Sequence, residues 1–193
     1  VPKPSKRDQL IEATKELLWE VGYEAMSPRD IQTRSAARPG SLYHHFPSKL
    51  AIAAVALGEA AVEEITYLEE VFSGNSAPLE VVRQYLLLQR ETLRGCRLGR
   101  LVHEVSLERE ELRQPVAAYF DAVRTHVSRS LAQAQAEGTL EARFDTENIA
   151  ISLVSLIQGG YVLARAFQDK TLMRRAIDGA LSLLSEVSSS TRS

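Results

Sequence analysis

The chain has 193 residues, 45% of them apolar and 25% charged, the balance of a folded globular protein rather than of a disordered one. No apolar run reads as the roughly 20 residues of a membrane-spanning helix. The lone cysteine, Cys96, excludes an internal disulfide and has no partner at a metal-ligand spacing. The net charge of −2 is uneven: residues 1–50 carry eight Lys and Arg against six Asp and Glu, so that part is +2 and the remainder −4.

The first residues, basic and polar with no apolar stretch behind them, do not read as a secretory leader, which predicts a cytoplasmic location. The chain opens at Val1 without methionine, which leaves room for a basic arm ahead of it. Ser5 is placed to cap a first helix in which Leu10, Ile11, Ala13, Thr14, Leu17, Leu18 and Val21 keep the spacing of an amphipathic segment, ended by Gly22. Four of its acids (Asp8, Glu12, Glu16 and Glu20) recur every four residues and share one strip. Ser27-Pro28 predicts the start of a short second helix that carries Ile31 and ends near Ser35. A third short helix is predicted to begin at Pro39 and to stop before Pro47.

Ser48 caps the next segment, alanine-rich and continuing to Phe72, on the order of 35–40 Å long and so able to join two domains. Beyond residue 76 apolar stripes with helical period run through 79–93, 98–107, 112–136, 147–167 and 172–187, with no alternation of the kind strands show. Pro115 places the start of its helix at Glu111 or Leu112. Residues 188–193 read as a frayed tail. The fold class is therefore all-α: a three-helix module over 1–47, a larger helical bundle over 48–188 and a tail at 189–193, with about nine helices in total.

Three helices in the first 46 residues, the last two joined by a tight turn near Ala36-Ala37, have the layout of a helix-turn-helix module, whose later helix enters the DNA major groove. Leu42 and Phe46, four apart, are spaced to anchor that helix in the three-helix core, which leaves Arg38, Ser41 and His44 on the other face, free to reach base edges. Gly40, lacking a side chain, would permit close approach to a sugar or a thymine methyl. Tyr43 and Lys49 are placed for phosphate contact, Lys49 at the start of a helix whose first amides carry a partial positive charge. Residues 22–50, with Gly22-Tyr23, Ser27, Ile31, Pro39-Gly40-Ser41-Leu42-Tyr43-His44-His45-Phe46 and Ser48-Lys49, resemble the N-terminal module of the TetR (tetracycline-repressor-like) family. The resemblance implies a DNA site of Ser27, Arg38, Pro39, Gly40, Ser41, Tyr43, His44 and Lys49, with Ser27 in the place of the family's phosphate-binding threonine or serine. One departure is Ala36, where the family commonly has glycine.

The same resemblance implies a C-terminal domain that binds a small effector and a homodimer formed through the last two helices. The stripes there suit a dimer but equally the closing of the chain's own core: Leu156, Gly159 and Gly160 in one helix, and Met173, Ile177, Ala180, Leu181 and Leu184 in the other. Paired glycines inside a helix are costly unless something packs closely against them. The candidate effector site is Tyr85, Gln89, Leu93, Leu101, Val102, Tyr119, Phe120, Val123, Gln158 and Tyr161, an apolar and aromatic set with a few polar groups, read on inward helix faces. Each of these residues is also compatible with plain core. His103 and His126 have no ligand partner at helical spacing, so no metal and no cofactor are expected.

The expected function is a ligand-responsive regulator, a repressor bound as a homodimer to a near-palindromic operator whose half-sites lie about one DNA turn, roughly 34 Å, or a multiple of it apart. A ligand that prefers a splayed arrangement would shift the population away from DNA. An enzyme is not expected, since the chain has no nucleophile elbow, P-loop, dinucleotide-binding glycine pattern or zinc-protease motif. A helical interaction protein with a vestigial DNA-binding module remains the alternative.

Overall fold

The structure is a computed structural model that describes residues 4–38 and 40–188. Pro39 and the tail at 189–193 therefore lie outside the described residues. Among the described residues there are nine α-helices, two 3₁₀ turns and no strand beyond one isolated antiparallel bridge between Leu140 and Ser188.

The N-terminal helices are delimited by local chemistry. In α1 (Lys6–Glu20) a capping box closes the start: the Asp8 amide donates to Ser5 Oγ and the Ser5 amide donates to the Asp8 carboxylate, both at 3.1 Å. A single turn, α2 (Gly22–Ala25), follows, and a second capping box between Ser27 and Asp30 opens α3 (Pro28–Arg34). The third element of the module, α4 (Ser41–His45), starts two residues later than predicted. Gly40 sits at its N-cap with φ +86°, in the left-handed region, and Ser41 is the first residue of the helix.

Next come α5 (Lys49–Phe72) and α6 (Pro78–Leu87). The apolar period predicted helix to residue 93, but α6 stops at Leu87, and an arginine side chain accounts for the stop. Arg90 donates to the carbonyls of Tyr85 (2.7 Å), Leu86 (2.8 Å) and Leu88 (2.7 Å), the groups that a continuing helix would have bonded to its own amides. The predicted helix over 98–107 is two 3₁₀ turns, Gly99–His103 and Val105–Glu108. Three long helices complete the chain: α7 (Glu110–Ala136), α8 (Thr146–Phe167) and α9 (Thr171–Val187). Helix α7 starts one residue before the predicted range and carries Pro115 inside it.

These elements form two compact units. The first takes the chain up to Glu64 together with Arg97–Tyr119, and the second takes Ile65–Cys96 together with the chain from Phe120 onward. In the first, Leu10, Ile11, Leu18, Met26, Ile31, Leu42, Ile52 and Leu57 are almost fully buried. Lys15 is also buried there, held by Glu12, by Glu63 at 2.5 Å and by Glu59 at 3.8 Å, while Glu63 takes a second bond from Arg97 at 2.8 Å. This ion-pair network satisfies a charge that would otherwise be prohibitive to bury. In the second unit α8 and α9 pack as a helical hairpin. Against Gly160 lie the Met173 sulfur, 2.9 Å from where a Cβ would stand, and the Ala176 Cβ at 3.2 Å.

Helix α8 revises one reading of the sequence, because Thr146–Phe167 is long and apolar enough, by length and composition, to cross a membrane. Only 28% of its most apolar stretch is buried, against α9 and its neighbours. The rest is half-buried or exposed.

Candidate nucleic-acid interface

The turn before α4 depends on two left-handed residues. Gly40 takes its positive φ at no steric cost, and the space beside it is open, with nothing within 4 Å of where a Cβ would be. Ala36 takes φ +50°, at the position where the sequence departs from glycine, so this turn carries the strain that alanine brings to a left-handed backbone. Behind the turn Leu42 and Phe46 are buried and hold α4 to the module, with the Arg7 guanidinium 5.4 Å from the Phe46 ring centroid.

What α4 and its turn leave outside is polar or aromatic. Arg38, Gly40, Tyr43, His44 and His45 are exposed, Tyr43 to 57%, and Ser41 is half-buried. The two histidine rings meet edge to face at 5.0 Å. A short helix with its two large apolar residues spent inside thus presents a row of donors outward, the chemistry that base edges and phosphates require.

Ser27 and Lys49 are less free than the sequence suggested. The Ser27 hydroxyl donates to the Asp30 carboxylate at 2.7 Å while its oxygen accepts from the Asp30 amide at 3.2 Å. The Ser27 hydroxyl and then its amide hold the Asp30 carboxyl below the usual carboxylate range, so a negative charge stands beside the candidate phosphate contact. Lys49 is half-buried, its Nζ 4.2 Å from the Tyr23 ring centroid. Burial lowers its ammonium, against the opposing pull of the Glu104 and Glu24 carboxylates. Just ahead, Ser48 Oγ accepts from the Ala51 amide at 3.1 Å and caps α5.

The acidic strip of α1 is largely engaged within its own unit. Glu12 pairs with Lys15, and Glu20 pairs with Arg34 at 2.6 Å, which in turn takes Arg34 out of the positive surface.

The candidate effector residues fall into three sets. Within the second unit Tyr85 and Val123 are buried, and Leu93, Phe120, Gln158 and Tyr161 are half-buried. In the first unit Leu101 is buried and Tyr119 half-buried. Two are corrected: Gln89 and Val102 are exposed rather than inward-facing. Gln89 lies beyond the point where α6 ends, and Val102 sits in a 3₁₀ turn, so neither keeps the α-helical phase used to place it. Two residues the sequence did not single out as site residues join Tyr85. Phe72 lies with its ring centroid 5.6 Å from Tyr85 and 5.1 Å from His126, on which it stacks. Burial pushes the Tyr85 phenol up to about 12 and lowers the His126 imidazole, so both are neutral at pH 7 and form an apolar cluster with polar tips. Phe72 was legible only as the last apolar residue of its helix, and His126 only as an isolated histidine.

Residues 10–56 match the family described as bacterial regulatory proteins, tetR family, and residues 76–180, more than half of the chain, match the tetracyclin repressor-like C-terminal domain. The chain belongs to the TetR family. It is similar, at 25% identity over 89% of each chain, to an uncharacterized HTH-type transcriptional regulator in the lacX 3' region of Lactococcus lactis subsp. lactis. At 24% identity over 79% of each, it is similar to the HTH-type transcriptional repressor DhaR of Mycobacterium sp. strain GP1. A TetR-family regulator from Agrobacterium tumefaciens shares the fold, with a TM-score of 0.83 at 23% identity, over 95% of this chain and 98% of that one. The protein is accordingly a TetR-family helix-turn-helix transcriptional regulator, a family of DNA-binding regulators rather than enzymes.

In this TetR-family chain the residues expected at a dimer face separate into two sets. Gly160, Met173, Ile177, Ala180 and Leu184 are buried within the chain, and at Gly160 the neighbour that the glycine pair calls for is the chain's own Met173. Leu156, Gly159 and Leu181 are only half-buried. The open apolar surface of the hairpin is made by Ile151, Val162, Leu163 and Phe167 of α8 with Leu183 of α9, and the space beside Gly159 and Gly179 is empty to 4 Å. A groove lined by Ser152, Leu156, Leu183 and Val187 runs along it.

Proposed function

We propose that the protein represses transcription by binding a near-palindromic operator as a homodimer in the cytoplasm, and that a small apolar or aromatic molecule releases it. The observation that carries the DNA half is the exposed set of Arg38 and Gly40 ahead of α4 and Tyr43 and His44 on it, with Leu42 and Phe46 buried inside the module. Ser41, Lys49 and Pro39 complete the contact, with Ser27 secondary because its hydroxyl is engaged by Asp30. The homodimer reading is supported by the open apolar face of α8 and α9. Burying Ile151, Val162, Leu163, Phe167 and Leu183 against a second copy would remove five large side chains from water. The effector reading is supported by the Phe72, Tyr85 and His126 cluster, which would offer an apolar ligand aromatic surface and neutral polar tips.

The test is binding of the purified chain to DNA from its own promoter region, titrated against salt. Tight, sequence-preferring binding that falls steeply with salt is expected. Weak binding, equal for all sequences, would instead favour an interaction protein with a vestigial module. The release half is tested by adding ligands that bind the chain, and unchanged operator affinity at saturation with each would refute it.

A further inference from the structure

The contact between the 3₁₀ turns and the DNA-binding module is built from carboxylates and backbone amides. One oxygen of Glu104, Oε2, accepts from the Glu24 amide at 3.1 Å and from the Ser106 hydroxyl at 3.0 Å. The other, Oε1, occupies the place where residue 22 would carry a Cβ, so only glycine admits it there. In return the Glu24 carboxylate accepts from the Ser106 amide at 2.9 Å. Between Gly22 and Glu24 lies Tyr23, and over its ring stands the Lys49 ammonium. The cation at the start of α5 thus stands over the ring of Tyr23, whose neighbours in the chain, Gly22 and Glu24, are the residues that seat the Glu104 carboxylate.

We propose that Glu104 is a positioning residue for DNA contact: seated at Gly22 and bonded to Glu24, its carboxylate holds the Lys49 ammonium over Tyr23 and competes with DNA phosphate for it. The inference rests on the reading of Lys49 as a phosphate contact. Its physical basis is that a half-buried ammonium is weakly screened from nearby carboxylates, and phosphate binding must overcome that attraction. Burial is the larger influence and lowers the Lys49 ammonium, while Glu104 and Glu24 pull it the other way, toward its charged form. DNA affinity is thereby tuned, through Lys49, by a residue that stands between the two 3₁₀ turns.

The experiment uses the full chain and a 30-bp mixed-sequence duplex, with affinity read by fluorescence anisotropy across a salt series. Glu104→Gln keeps a carbonyl that can accept from the Glu24 amide but removes the charge, and it should tighten binding about three- to tenfold at low salt. Lys49→Gln should weaken binding and lower the salt slope. The decisive reading is the double variant: in the Lys49→Gln background the gain from Glu104→Gln should vanish, whereas general removal of negative charge would persist in both backgrounds. Should Glu104→Gln lose helicity or melt early, Glu24→Gln should show the same dependence on Lys49. If Lys49→Gln leaves affinity unchanged, the reading of Lys49 as a phosphate contact fails and the inference with it. If Lys49→Gln weakens binding but Glu104→Gln tightens it equally with or without Lys49, or not at all, the competition is refuted while the phosphate contact stands.

Discussion

Helices α1 and α8 are both amphipathic, yet they use their apolar residues differently. In α1, Leu10, Ile11, Leu17 and Leu18 are all buried within one compact unit, whereas α8 buries Leu153, Ile157 and Ala164 and leaves Ile151, Val162, Leu163 and Phe167 in water. An apolar stripe therefore has two meanings: a helix folded wholly into its own core, or one that serves its core on one side and leaves apolar side chains exposed on the other, the surface proposed to meet a second copy. The width of the apolar surface separates them. One side of α8 is used up by α9 and another is left over, which is also why its composition satisfies the length and apolarity of a membrane span.

The contrast can be broken first at its buried end. Ile31→Ala or Leu42→Ala, both at fully buried positions of the first unit, should cost about 2–5 kcal/mol in thermal or denaturant unfolding. At the open end, Val162→Arg together with Leu183→Arg should leave the secondary structure intact. It should convert a dimer to monomers in sedimentation equilibrium, a loss of roughly 2–4 kcal/mol of association if each arginine must be desolvated. If the pair leaves the oligomeric state unchanged, the open face is not the interface.

Gly22→Ala sharpens the contrast inside the first unit. It adds a Cβ where the Glu104 carboxylate sits and forces alanine into φ +86°, with an expected cost of about 1–3 kcal/mol in unfolding. Acid should act on the same unit. Burial works against the charged form of Glu63, but the bonds from Lys15 and Arg97 outweigh it and hold its carboxyl below the usual value of 4.5. A carboxyl depressed on folding contributes stability that is fully present above its unfolded value and is lost as pH falls through its folded one. Melting temperature should therefore drop as pH falls below about 4.5, and Glu63→Gln should flatten that part of the profile. The smallest effect is a gain: Ala36→Gly relieves the left-handed alanine and should stabilise by about 0.5–1 kcal/mol, raising the melting temperature by a few degrees.

The start of each module helix was legible because its cause is local. Ser5 with Asp8 and Ser27 with Pro28 and Asp30 lie within one turn of the amides they cap, so residue type and spacing suffice. The exposed row on α4 was legible for the same reason: four residues of spacing put Leu42 and Phe46 on one face. The stop at Leu87 was not, because an apolar period carries no information about an arginine three residues on that turns back to take the helix's carbonyls. The effector residues were the least legible, since a periodicity that ends early assigns Gln89 and Val102 to the wrong side.

By itself the sequence determined the all-α class, the three-helix module with its polar recognition face, and the family, since caps, prolines and helical spacing act over one or two turns. Only the tertiary structure decided the rest. It showed that Gly160 answers to Met173 of its own chain while Gly159 stays open, that Glu104 reaches across some eighty residues to fill the notch at Gly22, and that Lys15 is buried among acids from another helix. Such partners are brought together by packing of distant segments. No local pattern records which of several compatible neighbours will arrive, because their burial and charge pairing are settled only when the core closes.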